Sequence, residues 1–194
     1  MDAGLIFRGI AYAKTQHASR HSSPFLVELL DKYLRYTWDD SEAHLALNGE
    51  DITPALRSEE VASAASRLAE NGQHLSTMEA MTHAVMAQFS HLVCDGRNAG
   101  TTLLPNAQFK FYVTADAEVR AMRRMHDLAK QNCATPYADV FYEITERDRR
   151  DRMRNSRPFV VPPNAIIIDT STSSIENSVE KMMRVIRKSA IMPH

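Results

Sequence analysis

The sequence predicts an α/β fold in which a parallel sheet is flanked by helices. Three observations carry that reading. The short apolar runs His91–Cys94, Phe109–Val113 and Ala165–Asp169 have the length and composition of buried strands. They are separated by stretches whose apolar residues recur at helical spacing, as parallel strands joined by crossover helices require. The polar stretch Asp95-Gly96-Arg97-Asn98-Ala99-Gly100-Thr101 follows the first run directly, and open α/β sheets bind ligands at the carboxyl ends of their strands.

Taken in order, Leu5, Ile6, Ile10 and Ala13 share one helical face, predicting a helix to about Gln16. Ser23-Pro24 supplies an N-cap and a first-turn proline, and Phe25, Leu26, Leu29, Leu30, Tyr33 and Leu34 continue at helical spacing. His44–Ile52 contains Asn48-Gly49 between strand-like flanks, the strongest short hairpin signal. Arg57-Ser58-Glu59-Glu60 begins a helix that Asn71-Gly72 ends. Ser76-x-x-Glu79 has the form of a capping box opening another helix to about Ser90.

The first run, His91–Cys94, then reads as a buried strand. Phe109–Val113 is the second, and Asp116 caps a helix from about Ala117 to Asn132. Thr135-Pro136 opens the next helix, and Pro158, Pro162 and Pro163 mark a return loop. Ala165–Asp169 is almost wholly apolar, the pattern of a strand covered on both faces. A last amphipathic helix covers about Ile175 to Lys188.

Composition narrows the function classes. With 194 residues and 44% hydrophobic content the chain suits one globular domain over 1–194. Lys and Arg number 23 against 24 for Asp and Glu, so no global basic field argues for nucleic acid. No run approaches the roughly 18 apolar residues of a membrane span, and no signal peptide opens the chain. The two cysteines, Cys94 and Cys133, have no metal-ligand spacing, and a reducing cytoplasm fits. Arginine is concentrated between Arg147 and Arg157. Outside any further context such a run is a solvated helix face with i,i+4 pairs.

Two motifs change that balance. Asp95-Gly96-Arg97-Asn98-Ala99-Gly100-Thr101 and Glu146-Arg147-Asp148-Arg149-Arg150-Asp151-Arg152-Met153-Arg154 together resemble the bacterial cytidylate kinase family, whose members carry DGRD-x-GT and RD-x-RD-x-x-R. The likeness extends from Asp2–Arg8, similar to the family's DSGAIYR segment, through Val61–Ser66 to Ile168–Ser171. The resemblance implies a P-loop-kinase-like parallel sheet, a nucleotide-monophosphate-binding insert at about 36–75 and a lid region at about 136–163. It implies phosphoryl transfer from ATP, with Mg2+, to CMP or dCMP.

By the same resemblance, Arg8 and Arg97 hold the acceptor phosphate, and Asp2 lies beside the acceptor site. Ser66 reads the cytosine edge, and the position of Asn98 helps it. Arg147 and Asp151 contact the ribose, and Arg154 closes with the lid over the reacting phosphates. Arginine suits these roles through its bidentate fork and permanent charge.

The sequence departs from the family at three places. Ala3 stands where the family has a serine, Asn98 stands where it has the last aspartate of DGRD, and Gln73–Thr77 supplies no arginine for the base. Exchanging carboxylate for amide keeps one acceptor oxygen but loses the charge.

The sequence also has no G-x-x-x-x-G-K-[ST] pattern. The family's first two strands are not represented either, which predicts an incomplete sheet with a gap between the strands ending at Cys94 and Val113. Such edges invite pairing with each other, with a second copy or with a partner chain. The expectation is therefore weak or absent kinase activity from these residues alone. The alternative is a non-catalytic nucleotide-binding or partner-binding pseudokinase of the same family.

Overall fold

Residues 1–16, 34–39, 42–130, 133–155 and 157–191 are described by the computed structural model. They fall into two units, Met1–Leu104 with Arg154–Pro158, and Pro105–Met153 with the segment from Phe159 onward.

The first unit is built on helix α1 (Ala3–Gln16). Asp2 starts it, its Oδ1 accepting from the Leu5 amide at 2.8 Å and so satisfying one of the unpaired donors of the first turn. The helix buries Leu5, Ile6, Ile10 and Ala13 against an antiparallel sheet of β1 (Leu34–Asp39), β2 (Glu42–Leu47) and β3 (Glu50–Asp51). Gly9 makes that approach possible, because a Cβ there would stand 2.0 Å from Leu45 Cδ2. Strands β2 and β3 are joined by Asn48-Gly49, with Leu47 opposite Glu50 and φ angles of 55° and 84°. Positive φ at both central residues is the requirement of a two-residue type I′ turn, as the dipeptide predicts.

Helix α2 (Glu59–Leu68) is capped by Ser58, and helix α3 (Gly72–Met86) by Asn71, whose side chain accepts from the Gln73 and His74 amides. Leu56, Leu75 and Met78 complete the core with Leu34, Leu45 and Leu47.

Three expectations are corrected here. Asn71-Gly72 opens a helix rather than ending one, because the asparagine oxygen finds two free amides ahead of it. Ser76 and Glu79 lie inside α3 and form no capping box; Ser76 Oγ donates back to the Gly72 carbonyl. Leu34 belongs to a strand, and the rest of the helix expected from Ser23 lies outside the described residues.

The run His91–Cys94 is not a strand. Val93 is 86% exposed, and the only pairing nearby among the described residues is a single parallel bridge between Asp2 and Asp95. A strand forms where its backbone groups find a ladder on at least one side, and Met1–Ala3 supplies only two such bonds to Asp95.

In the second unit β4 (Phe111–Thr114) pairs in parallel with β5 (Ile166–Asp169), Phe111 opposite Ile166 and Thr114 opposite Asp169. Helices α4 (Ala117–Lys130), α5 (Tyr137–Arg152) and α6 (Ile175–Ile191) accompany them. The parallel sheet is therefore two-stranded among the described residues.

The expectation that Ala165–Asp169 is covered on both faces is also corrected. Ile167 is 60% and Ile166 38% exposed, and only Ile168 turns inward. A two-stranded sheet with few apolar neighbours cannot enclose every branched side chain that a central strand carries.

Candidate functional site

The first unit gathers one group of polar residues at the start of α1. Arg8, two turns into the helix, donates from Nη2 to Asp2 Oδ2 at 3.0 Å. The Asp2 carboxylate thus caps the helix with one oxygen and orients an arginine with the other. Its backbone pairs with Asp95, the Ala3 amide donating to the Asp95 carbonyl at 3.1 Å, which brings the Asp95–Asn98 loop beside Asp2. Gly96 fits this approach: its φ is 153°, and a Cβ on it would meet Ala3 Cβ at 3.1 Å. Arg97 and Asn98 follow at once, leading into one π-type turn, Ala99–Leu103, in which the Asn98 carbonyl accepts from both Thr102 and Leu103.

Ser66 sits on α2, a helix packed on α1. It is buried, and its Oγ has no hydrogen-bond partner among the described residues. The Nε of Arg8 is in the same condition. Buried polar atoms without partners are uncommon and ask for a missing ligand or water.

A second cluster adjoins Asn98. Its Nδ2 donates to Glu79 Oε1 at 2.9 Å, while Glu79 Oε2 takes Arg157 Nη1 at 2.7 Å. Glu79 is only 4% exposed. Burial pushes its carboxyl above the usual range, opposed by Asn98, Arg157, His83 and Arg154 in turn. Arg157 has a φ of 54°, a left-handed conformation that costs a non-glycine residue roughly 1 kcal/mol or more.

Sequence reasoning missed both partners. The spacing of Glu79 from Ser76 suggested a local cap, and Arg157 was one arginine in a run. A charged residue facing the apolar side of its own helix, between Met78 and Thr82, was the available signal for Glu79.

The second unit holds the other arginines. Arg120 Nη2 donates to Asp148 Oδ2 at 2.6 Å, and Arg152 reaches the same oxygen at 3.9 Å. Arg123 donates to the Thr170 carbonyl at 2.6 Å and to its Oγ1 at 3.1 Å, tying α4 to the loop after β5. These residues, with Tyr112 and its stacked partner Phe159, line a cleft of about 220 Å3. It opens at the carboxyl ends of the two parallel strands, the usual ligand position of an α/β sheet.

Asp151 is fully buried in this unit, and the Nε of Arg147 is buried without a hydrogen-bond partner among the described residues. Arg149 pairs with Glu146 one turn away, so part of the arginine run is a solvated helix face. Arg154 belongs with the first unit. Of the residues singled out from sequence, Asp2, Arg8, Ser66, Arg97, Asn98 and Arg154 lie in the first unit, and Arg147 and Asp151 in the second.

Burial raises the Cys94 thiol to about 11, so it is a partly buried packing residue rather than a nucleophile. Among the described residues no group of three His, Cys, Asp or Glu is placed to hold a metal ion, and no helix is long and apolar enough to cross a membrane.

Comparison with known proteins adds independent findings. The cytidylate kinase family model matches residues 1–188. A cytidylate kinase of Marinomonas sp. (strain MWYL1) is 32% identical over 195 aligned residues, covering 99% of this chain and 86% of the relative. Cytidylate kinases of Escherichia coli O1:K1 and Shigella boydii serotype 18 are each 34% identical, covering 97% of this chain and 83% of the relative.

Proposed function

Because the chain belongs to the cytidylate kinase family, we propose that its first unit is the acceptor half of a phosphoryl-transfer site for CMP or dCMP. The observation that carries this reading is the Asp2–Asp95 bridge, which sets Arg8 and the Arg97-Asn98 pair on one framework. Phosphoryl transfer asks the protein mainly for positioning and for positive charge around the moving group. Arg8 and Arg97 supply the charge on the acceptor phosphate, with Arg8 pre-aimed by Asp2 so that little side-chain freedom is lost on binding. The partnerless Ser66 hydroxyl and the Asn98 amide face the base. Arg154 belongs to this unit as well, whereas Arg147 and Asp151 lie in the second unit and form no part of this assignment.

The donor side is different. ATP and Mg2+ serve this chemistry in the family, but the sequence holds no glycine-rich phosphate loop and the described residues hold no metal-binding cluster. Mg2+ in such sites is held by one or two carboxylates and the substrate phosphates rather than by a protein cluster. Losing one preorganised donor to developing charge costs two to three orders of magnitude in rate, and a whole nest of them is at stake here. We therefore assign these residues nucleotide binding with slow transfer at most, in a soluble cytoplasmic protein.

A second reading, a non-catalytic pseudokinase, draws on Ala3 and Asn98, the two departures within otherwise family-like motifs. The outer edges of β4 and β5, unpaired among the described residues, favour completion of the sheet by further strands, whether from a second copy, a partner chain or another stretch of polypeptide.

Calorimetric titration with CMP tests the acceptor site. We expect binding by the chain and at least about a tenfold loss in Arg97→Ala, the scale of a charge-assisted phosphate contact. Equal binding by the variant would remove the phosphate-fork reading. Adding a glycine-rich strand-loop-helix segment should yield ATP- and Mg2+-dependent CDP formation; no turnover by that completed protein would leave the pseudokinase reading standing.

A further inference from the structure

We propose that Glu79 is a specificity-positioning residue: it fixes which way the Asn98 amide faces and so makes this site accept a base bearing an exocyclic amino group. The inference rests on the acceptor-site reading above and names what selects the base within it. An asparagine amide is ambiguous, since one end donates and the other accepts. Ionised against Arg157, the Glu79 carboxylate cannot donate. With Glu79 Oε1 2.9 Å from Asn98 Nδ2, the amide end that faces Glu79 has to be the NH2 end. Turning it over would set two acceptor oxygens against each other inside a buried site. The second Glu79 oxygen is held by Arg157 at 2.7 Å, so the carboxylate has a fixed orientation and a counter-charge. Arg157 keeps that contact in a strained left-handed backbone, as a residue does when its surroundings over-determine it.

The other end of the amide is then defined. Among the described residues no donor pairs with Asn98 Oδ1, and that oxygen is not among the fully buried unpartnered atoms; it remains available as an acceptor. Cytosine presents an amino group at the position where uracil presents a carbonyl oxygen. An acceptor held in place pairs with the first and repels the second. Glu79 thereby lets an asparagine act as the acidic residue whose place it takes. Discrimination built on a polar group left unpaired by the wrong ligand is steeper than any apolar contact provides.

The test compares CMP with UMP affinity in the full chain, its Glu79→Gln variant and the double variant Glu79→Gln, Asn98→Asp. Glutamine can donate as well as accept, which frees the Asn98 amide to turn. The chain should prefer CMP by about tenfold or more, Glu79→Gln should fall to within about threefold, and the double variant should regain the preference, because an aspartate accepts at either oxygen. The Asn98 side-chain NH2 resonances give a readout that needs no nucleotide: in the folded chain one proton should be shifted downfield and slow to exchange, and both features should fade in Glu79→Gln. An unchanged CMP-to-UMP ratio in a folded Glu79→Gln, or a chain that prefers UMP, overturns the inference and leaves the acceptor site intact. Failure of the chain to bind either nucleotide overturns the acceptor-site reading, and this inference with it.

Discussion

Leu45 and Ile167 are both apolar strand residues, one in each unit, yet Leu45 is fully buried and Ile167 is 60% exposed. The contrast extends to the units themselves. The first surrounds Ile6, Ile10, Leu45, Leu56, Leu75 and Met78 with a contiguous core. In the second, the buried apolar side chains among the described residues are Ala121, Val140 and Ile168. Its order comes from the β4–β5 ladder and from arginine pairs such as Arg120–Asp148. Hydrophobic burial is the dominant driving force of folding, while partly exposed ion pairs contribute about 1 kcal/mol at most. Strand formation therefore does not imply a covered strand, and the second unit is the one that gains most from further packing.

The sharpest way to break this comparison is to truncate the two residues that define it. Leu45→Ala should cost about 2–5 kcal/mol, the range for a buried leucine that leaves a cavity. Ile167→Ser should stay within about 0.5 kcal/mol, as surface substitutions do. Urea unfolding followed by circular dichroism measures both. A large loss in Ile167→Ser would mean that β5 is covered in solution, by a second copy or by other strands.

Gly9→Ala comes next. Its new methyl would stand 2.0 Å from Leu45 Cδ2, so α1 or β2 has to shift, at about 1–3 kcal/mol for overpacking. A neutral Gly9→Ala would show that α1 does not lie this close to the sheet.

The smallest effect is a pH dependence from Glu79. Burial raises its carboxyl, while Asn98, Arg157, His83 and Arg154 around it pull the other way. The folded chain therefore keeps a proton that the unfolded chain releases above its ordinary value. That contribution is fully present below the unfolded value and is lost as pH rises through the raised one. Relative to Glu79→Gln, the chain should lose stability between about pH 4.5 and the raised value. A parallel pair of stability profiles would contradict the shift.

Much of this was legible in the sequence. Asn48-Gly49 announced its hairpin because positive φ at two successive residues is a local requirement that few residue pairs meet. The apolar runs of β4 and β5, and the helices between them, followed from periodicity. Family-like motifs marked Asp2, Arg8 and Arg97 as candidates, and the structure sets Asp2 against Arg8 and the Asp95 backbone. The rest depended on partners distant in sequence. His91–Cys94 has a strand's composition but lacks a ladder. Ser76-x-x-Glu79 has a cap's spacing, but Asn71 already holds the helix start, so Glu79 turns instead to Asn98 and Arg157, 19 and 78 positions away. No local pattern encodes that pairing.

The measurement that tests the central claim most directly is a titration of the isotopically labelled chain with CMP, followed amide by amide by nuclear magnetic resonance. The account predicts shifts at Asp2, Arg8, Ser66 and Asn98 that need at least about tenfold more CMP in Arg97→Ala. No shift at these positions, or the same CMP dependence in Arg97→Ala, would contradict it.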